Sequence, residues 1–213
     1  IEEGNIVSFF NENFKWKIGK WYKTDGNLTM CKKGFHCSTT PLDALRYVSG
    51  EVLAIVEVRG KSIKQKDKEC WEEMRIKKAY RWTKKDSLKL AIYSAELVLS
   101  NFEKKCSEDN RPRKAIEAAK KVSKKDTEKN RLAAKAAAET VGLALWGESA
   151  AWAECAEWAA WAATWAAALA ARTTESAAWA TTEAAARSKK QKIEKKINRW
   201  IINHIKDLEN IKI

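Results

Sequence analysis

The sequence predicts an α+β protein: a small N-terminal mixed sheet with a short helix, followed by an Ala/Trp-rich helical bundle. Three observations predict it. Val52-Leu53-Ala54-Ile55-Val56-Glu57-Val58 is dominated by β-branched residues, the composition of a strand on a half-buried surface. From Ser87 the apolar residues change to helical spacing, with Leu88, Ile92, Ala95 and Leu99 on one stripe. Residues 133–186 then hold 25 alanines in 54 positions, and alanine is the strongest helix former. The change of pattern divides the chain into a small α/β domain over 1–86 and a helical domain over 87–213.

The elements follow in order. Trp16 to Tyr22, with Gly19 at its centre, and Leu28 to Cys31 read as short extended segments separated by an Asp25-Gly26 turn. Gly34-Phe35-His36-Cys37 continues as strand or turn. Thr40 before Pro41, with Asp43 close behind, is an N-cap followed by proline at the first helical position, so a short helix covers Pro41 to Val48. The strand from Val52 should end at Gly60, and Cys70 to Ile76 permits another strand. Past the Ser87 helix, which runs to about Lys105, Asn110-Arg111-Pro112 breaks the pattern. Pro112 opens a helix with Ala115, Ile116 and Ala119 inside. Asp126 or Thr127 caps the next, which carries Leu132 and the first Ala run.

A single straight helix over the Ala-rich tract would span roughly 80 Å at 1.5 Å per residue, too long for a domain of this size. The tract therefore turns, with breaks expected at Gly142 and Gly147 and further Thr caps at Thr173 and Thr181. Small side chains let helix axes approach, and Trp158, Trp161 and Trp165 at helical spacing fill one face. Those indoles, with Trp152, are either core or an exposed interface. A membrane span is not expected, because Glu148, Glu154, Glu157 and Arg172 would each cost about 2.5–3.5 kcal/mol near the bilayer centre. In the last helix Ile197, Trp200, Ile201, His204, Ile205 and Leu208 form an apolar stripe, with His204 a satisfied core or flanking group.

The 213 residues carry 41 Lys and Arg against 28 Asp and Glu, a formal charge of +13. That sign attracts nucleic acid, an anionic surface or an acidic protein; its plainest alternative role is solubility. The excess is uneven. Residues 111–135 hold 10 basic and 3 acidic groups, residues 136–186 hold 1 and 6, and residues 187–213 hold 9 and 3. If the two basic segments fold side by side, they form one positive patch. Its lysines are Lys114, Lys120, Lys121, Lys124 and Lys125, with Lys189, Lys190, Lys192, Lys195 and Lys196. The five cysteines are irregularly spaced, which suits neither a disulfide framework nor a zinc ribbon, so reduced thiols in the cytoplasm are expected. The chain has no P-loop, G-x-G-x-x-G, H-E-x-x-H or paired C-x-x-C, and no cofactor or metal is expected. It opens on Ile1 rather than Met, so a few leading residues are expected to be missing, and its start lacks the plan of a signal peptide.

Three resemblances add to this reading. The run Gly34-Phe35-His36-Cys37-Ser38-Thr39-Thr40-Pro41-Leu42-Asp43, preceded by Trp16 to Tyr22 and followed by Val56-Glu57-Val58-Arg59-Gly60, resembles an uncharacterised domain of phage and bacterial proteins. In that domain G-F-H-x-C, P-L-D and E-V-x-G recur in order. Asn110-Arg111-Pro112-Arg113-Lys114-Ala115-Ile116-Glu117-Ala118-Ala119, with the Ala/Trp repeats, is similar to Ala-rich phage and bacterial proteins labelled as immunity proteins. Together they imply a phage or mobile-element setting. The same N-terminal run also resembles the second strand and helix of ADP-ribosyltransferase folds. That resemblance implies that Phe35, His36, Thr39, Thr40 and Tyr47 hold the nicotinamide end of NAD, and that Glu72 or Glu73 stabilises the charge developing on the ribose.

The function expected from these features is that of a non-enzymatic, phage-associated interaction protein. As an anti-defence factor it would bind a component of host immunity, such as a CRISPR system, either a protein or a nucleoprotein. Its contacts would be Trp152, Trp158, Trp161 and Trp165, with Lys120, Lys121, Lys124, Lys125, Lys189 and Lys190. The alternatives are an NAD-using transferase built on His36, Thr39, Tyr47, Glu72 and Glu73, and an RNA- or DNA-binding protein directed at phosphates. Self-association stays open.

Overall fold

The computed structural model describes residues 6–7, 14–47, 51–104, 106–147, 166 and 190–211. Its contacts divide the chain into two compact units, Ile1–Thr83 with Trp200–Ile213, and Lys84–Arg199. The α+β class is as expected, an antiparallel sheet with a short helix and then helices. The division differs from 86/87, because the last residues return to the sheet: Ile211 N–H donates to the Ala79 carbonyl at 2.8 Å and Arg81 N–H to Glu209 at 3.1 Å.

The first unit is built on one long hairpin. Strand β5 (Val52–Lys64) pairs antiparallel with β6 (Glu69–Arg81), from Val52 opposite Arg81 to Lys64 opposite Glu69. On the other side of β6 lie β3 (Tyr22–Lys23), with Tyr22 opposite Met74, and β4 (Phe35–Cys37), with Phe35 opposite Trp71. A separate pair joins β1 (Ile6–Val7) to β2 (Lys15–Trp16). Helix α1 (Pro41–Tyr47) starts as its sequence requires: the Thr40 hydroxyl accepts the Asp43 N–H at 3.2 Å and donates to the Asp43 carboxylate at 2.6 Å. Ile6, Ile76 and Ala79 are buried together, and Trp16, Ile18, Val52, Ala54, Val56 and Ile211 pack against them. Alternation puts Val52, Ala54 and Val56 on one face of the hairpin base, and the register shift between Ile55 and Val56 brings Ile76 to the same face as Ala79.

Three local expectations are corrected. Trp16 to Tyr22 is not one extended segment; the chain turns at Ile18-Gly19, with Lys20 N–H on the Lys17 carbonyl. Leu28 to Cys31 is part of a tight turn, in which Thr29 and Lys33 exchange backbone hydrogen bonds of 2.9 and 2.8 Å. Gly60 does not end β5. It sits at φ +82° in a register shift between Arg59 and Ser62, and this bulge lets the strand bend and continue to Lys64.

In the second unit α2 (Lys84–Glu103) buries Leu88, Leu90, Ala91, Ile92, Ala95, Val98, Leu99 and Phe102, which contains the whole expected stripe. Helix α3 (Arg111–Lys124) buries Pro112, Ala115, Ile116, Ala119 and Val122 and packs against both α2 and α4 (Glu128–Gly147). The Thr127 hydroxyl accepts the Asn130 N–H at 3.2 Å and so caps α4. Helix α4 faces inward with Ala134, Ala138 and Val141, while Leu132 is 59% exposed. The helix also runs through Gly142 without breaking. Helix α5 (Lys190–His204), which passes from the second unit to the first at Trp200, buries Ile193, Ile197 and Ile201, and the 3-10 turn Ile205–Asp207 after it, in the first unit, buries Ile205. Trp200 is only partly buried rather than core; its ring stacks on His204 at 4.6 Å, and Trp82 meets His204 edge-on at 5.9 Å. Among the described residues no helix is long and apolar enough to cross a membrane.

Candidate nucleic-acid interface

Helix α3 sorts its cations into two sets. On the side of α2, Arg113 donates a two-nitrogen fork to Glu103 at 2.6 and 2.7 Å, and Lys120 forms an ion pair with Glu96. These ion pairs join α3 to α2, and Lys120 stays partly exposed within its pair. At 100° per residue Lys114, Lys121 and Lys124 fall on an arc opposite the buried stripe, with Lys125 beside it as the C-cap. All four are exposed, and none has an ion-pair partner among the described residues. Glu117 shares the arc but closes no ion pair with them. Lys121, Lys124 and Lys125 also lie at the negative end of the helix dipole, which favours cations there. Lys192, Lys195 and Lys196 of α5 are exposed as well.

The hairpin carries many cations too, and several of them meet a carboxylate. Arg59 Nε donates to Glu73 at 2.7 Å, Lys23 lies 3.2 Å from Glu72, Arg75 donates to Glu57 at 2.6 Å, and Lys77 lies 2.7 Å from Glu57. The Lys77 and Arg75 hydrogen bonds hold the Glu57 carboxyl below its usual range, and the Lys61 N–H and Lys23 do the same for Glu72. Trp21 lies between two guanidinium groups, 4.1 Å from Arg59 and 4.9 Å from Arg75. Sequence spacing did not reveal this arrangement, because Arg59 and Arg75 become neighbours of Trp21 only through strand pairing.

The residues of the transferase resemblance have local partners. His36 Nε2 accepts the Cys31 N–H at 2.9 Å, and partial desolvation lowers its pKa although much of the side chain is exposed. The Tyr47 hydroxyl donates to Asp67 at 2.5 Å, which raises the phenol pKa and lowers that of the acid. Phe35 packs 5.5 Å from Trp16, Thr39 is exposed, and Thr40 is the α1 cap. Glu72 and Glu73 lie in the ion-pair ladder, Tyr47 is held at the hairpin tip, and His36 stands opposite Cys70 on β6. Trp152, Trp158, Trp161, Trp165 and Lys189 lie outside the described residues, and Lys190 opens α5. Among the described residues no group of three or more His, Cys, Asp or Glu side chains is arranged to hold a metal ion.

No curated protein and no solved structure matches the chain. Residues 7–86 match a family described as a domain of unknown function, DUF7666.

Proposed function

We propose that the protein is a non-enzymatic binding protein whose α3 face takes nucleic acid, alone or within a host or defence nucleoprotein. One observation carries this reading: Lys114, Lys121, Lys124 and Lys125 are exposed on one side of α3 with no acidic partner among the described residues, while Arg113 and Lys120 on its other side are ion-paired to α2. Unpaired lysines release counterions when they meet phosphates, and that release gives affinity without sequence preference. With about four phosphates neutralised, affinity should fall roughly 100-fold between 50 and 200 mM salt.

The test is fluorescence anisotropy with labelled single-stranded RNA and duplex DNA across that salt range. Lys121→Glu with Lys124→Glu should weaken binding at least about tenfold and reduce the salt slope by about 2. Binding that is absent at low salt, or that keeps its slope in the variant, rejects the proposal.

A further inference from the structure

The hairpin tip and the Thr29–Lys33 turn bring together two side chains that neither the binding face nor the core uses. Cys31 is an exposed free thiol at φ +61°, a conformation few non-glycine residues adopt. The turn's own hydrogen bonds and the donation of Cys31 N–H to His36 hold its backbone there. Its Sγ lies 3.1 Å from Lys68 Nζ, although the two residues are 37 positions apart. Lys68 is also held over the Tyr47 ring at 4.8 Å, and the Tyr47 hydroxyl is held by Asp67.

The geometry points to an oxidative modification site: a hydroperoxide oxidises Cys31, and the amine of Lys68 captures the product as a sulfur–nitrogen cross-link. The thiolate is the reactive form of cysteine, and a neighbouring ammonium stabilises it. Cys37 and Cys70 are poor competitors, since burial raises both thiols, Cys37 to about 11. In the first step the Cys31 sulfur attacks the O–O bond of hydrogen peroxide. An S–O bond forms, the O–O bond breaks, and the departing hydroxide takes a proton from the Lys68 ammonium to leave as water. The neutral amine then attacks the sulfenic sulfur. An S–N bond forms, the S–O bond breaks, and hydroxide leaves as water with an amine proton. Sulfur loses two electrons and one peroxide becomes two waters. Condensation of a sulfenic acid with a backbone nitrogen to a sulfenamide is an established branch of cysteine oxidation, and here the lysine amine takes the place of that nitrogen. The link would tie the hairpin tip to the Thr29–Lys33 turn.

The test treats the full chain with hydrogen peroxide and maps non-reduced peptides by mass spectrometry. A Cys31 peptide joined to a Lys68 peptide, lighter than their sum by two hydrogens and released by dithiothreitol, is the expected result. Lys68→Arg keeps the cation but should lose the link, leaving a Cys31 sulfenic acid that dimedone traps. A Cys31–Cys70 disulfide in place of the link, or dimedone labelling of Cys31 no stronger than that of Cys106 in Lys68→Arg, overturns the proposal.

Discussion

Along the β5–β6 hairpin, Arg59, Lys64, Arg75 and Lys77 each meet a carboxylate, whereas Lys114, Lys121 and Lys124 on the outer arc of α3 meet none among the described residues. The difference is one of geometry as well as composition. Residues opposite each other in an antiparallel pair have Cβ atoms about 4.5–5.5 Å apart, so an acid on either strand can fall beside a cation on the other. On α3 the outer arc offers only Glu117, and the remaining positive charge faces solvent. A count of basic residues therefore overstates the hairpin as a polyanion site, and pairing decides which surface is available.

Removing the hairpin's integrity is the strongest way to separate the two surfaces. Gly34 has φ +122°, and a Cβ there would lie 2.4 Å from Cys70 Sγ. Gly34→Ala should cost at least about 2 kcal/mol of the first unit's stability, read as lost hydrogen-exchange protection along β4 and β6. Nucleic-acid binding with an unchanged salt slope would keep the site on α3; a slope that collapses with the sheet would move it to the hairpin. Unmasking the hairpin is a milder change. Glu57→Gln with Glu73→Gln removes the acids that neutralise Arg59, Arg75 and Lys77, and should tighten binding about threefold at 50 mM salt. Unchanged affinity in that variant would show that pairing is not what silences this face.

The smallest effect expected is on pH dependence, and it should appear in the hairpin unit rather than in α3. Partial desolvation, with the Lys68 charge adding to it against the Gly34 hydrogen bond, lowers the pKa of His36 in the folded state. The unfolded chain therefore binds the proton first. The stabilisation is complete above the ordinary histidine value of about 6.5 and is lost as pH falls through the depressed one. Protonation also removes the lone pair that accepts the Cys31 N–H. Unfolding midpoints measured across pH 7 to 5 should fall less steeply in His36→Gln than in the natural chain, by a modest margin because solvent screens a partly exposed ring. Parallel profiles would remove His36 as the source.

What could be read in advance was local. Thr40, Pro41 and Asp43 specify a helix start within four residues, and Leu88, Ile92, Ala95 and Leu99 carry their helix period in their spacing; both features appear as expected. Of the candidate interface, Lys121, Lys124 and Lys125 were visible as a charge run, but the half-buried tie of Lys120 to Glu96 was not, because it depends on where α2 packs. Leu132 shows the same limit: its type suits a core, yet the packing of α4 turns Ala134, Ala138 and Val141 inward and leaves it outside.

By itself, the sequence determined the strand from Val52, the class of helices α2 and α3, the cap of α1, and the excess of positive charge. Tertiary structure alone decided which cations are paired, why β5 passes through Gly60, and why Cys31 meets Lys68 across 37 positions. Propensity, capping and composition act within a few residues of chain. Strand register and helix docking are set by burial among distant segments, and no short window of sequence contains both partners.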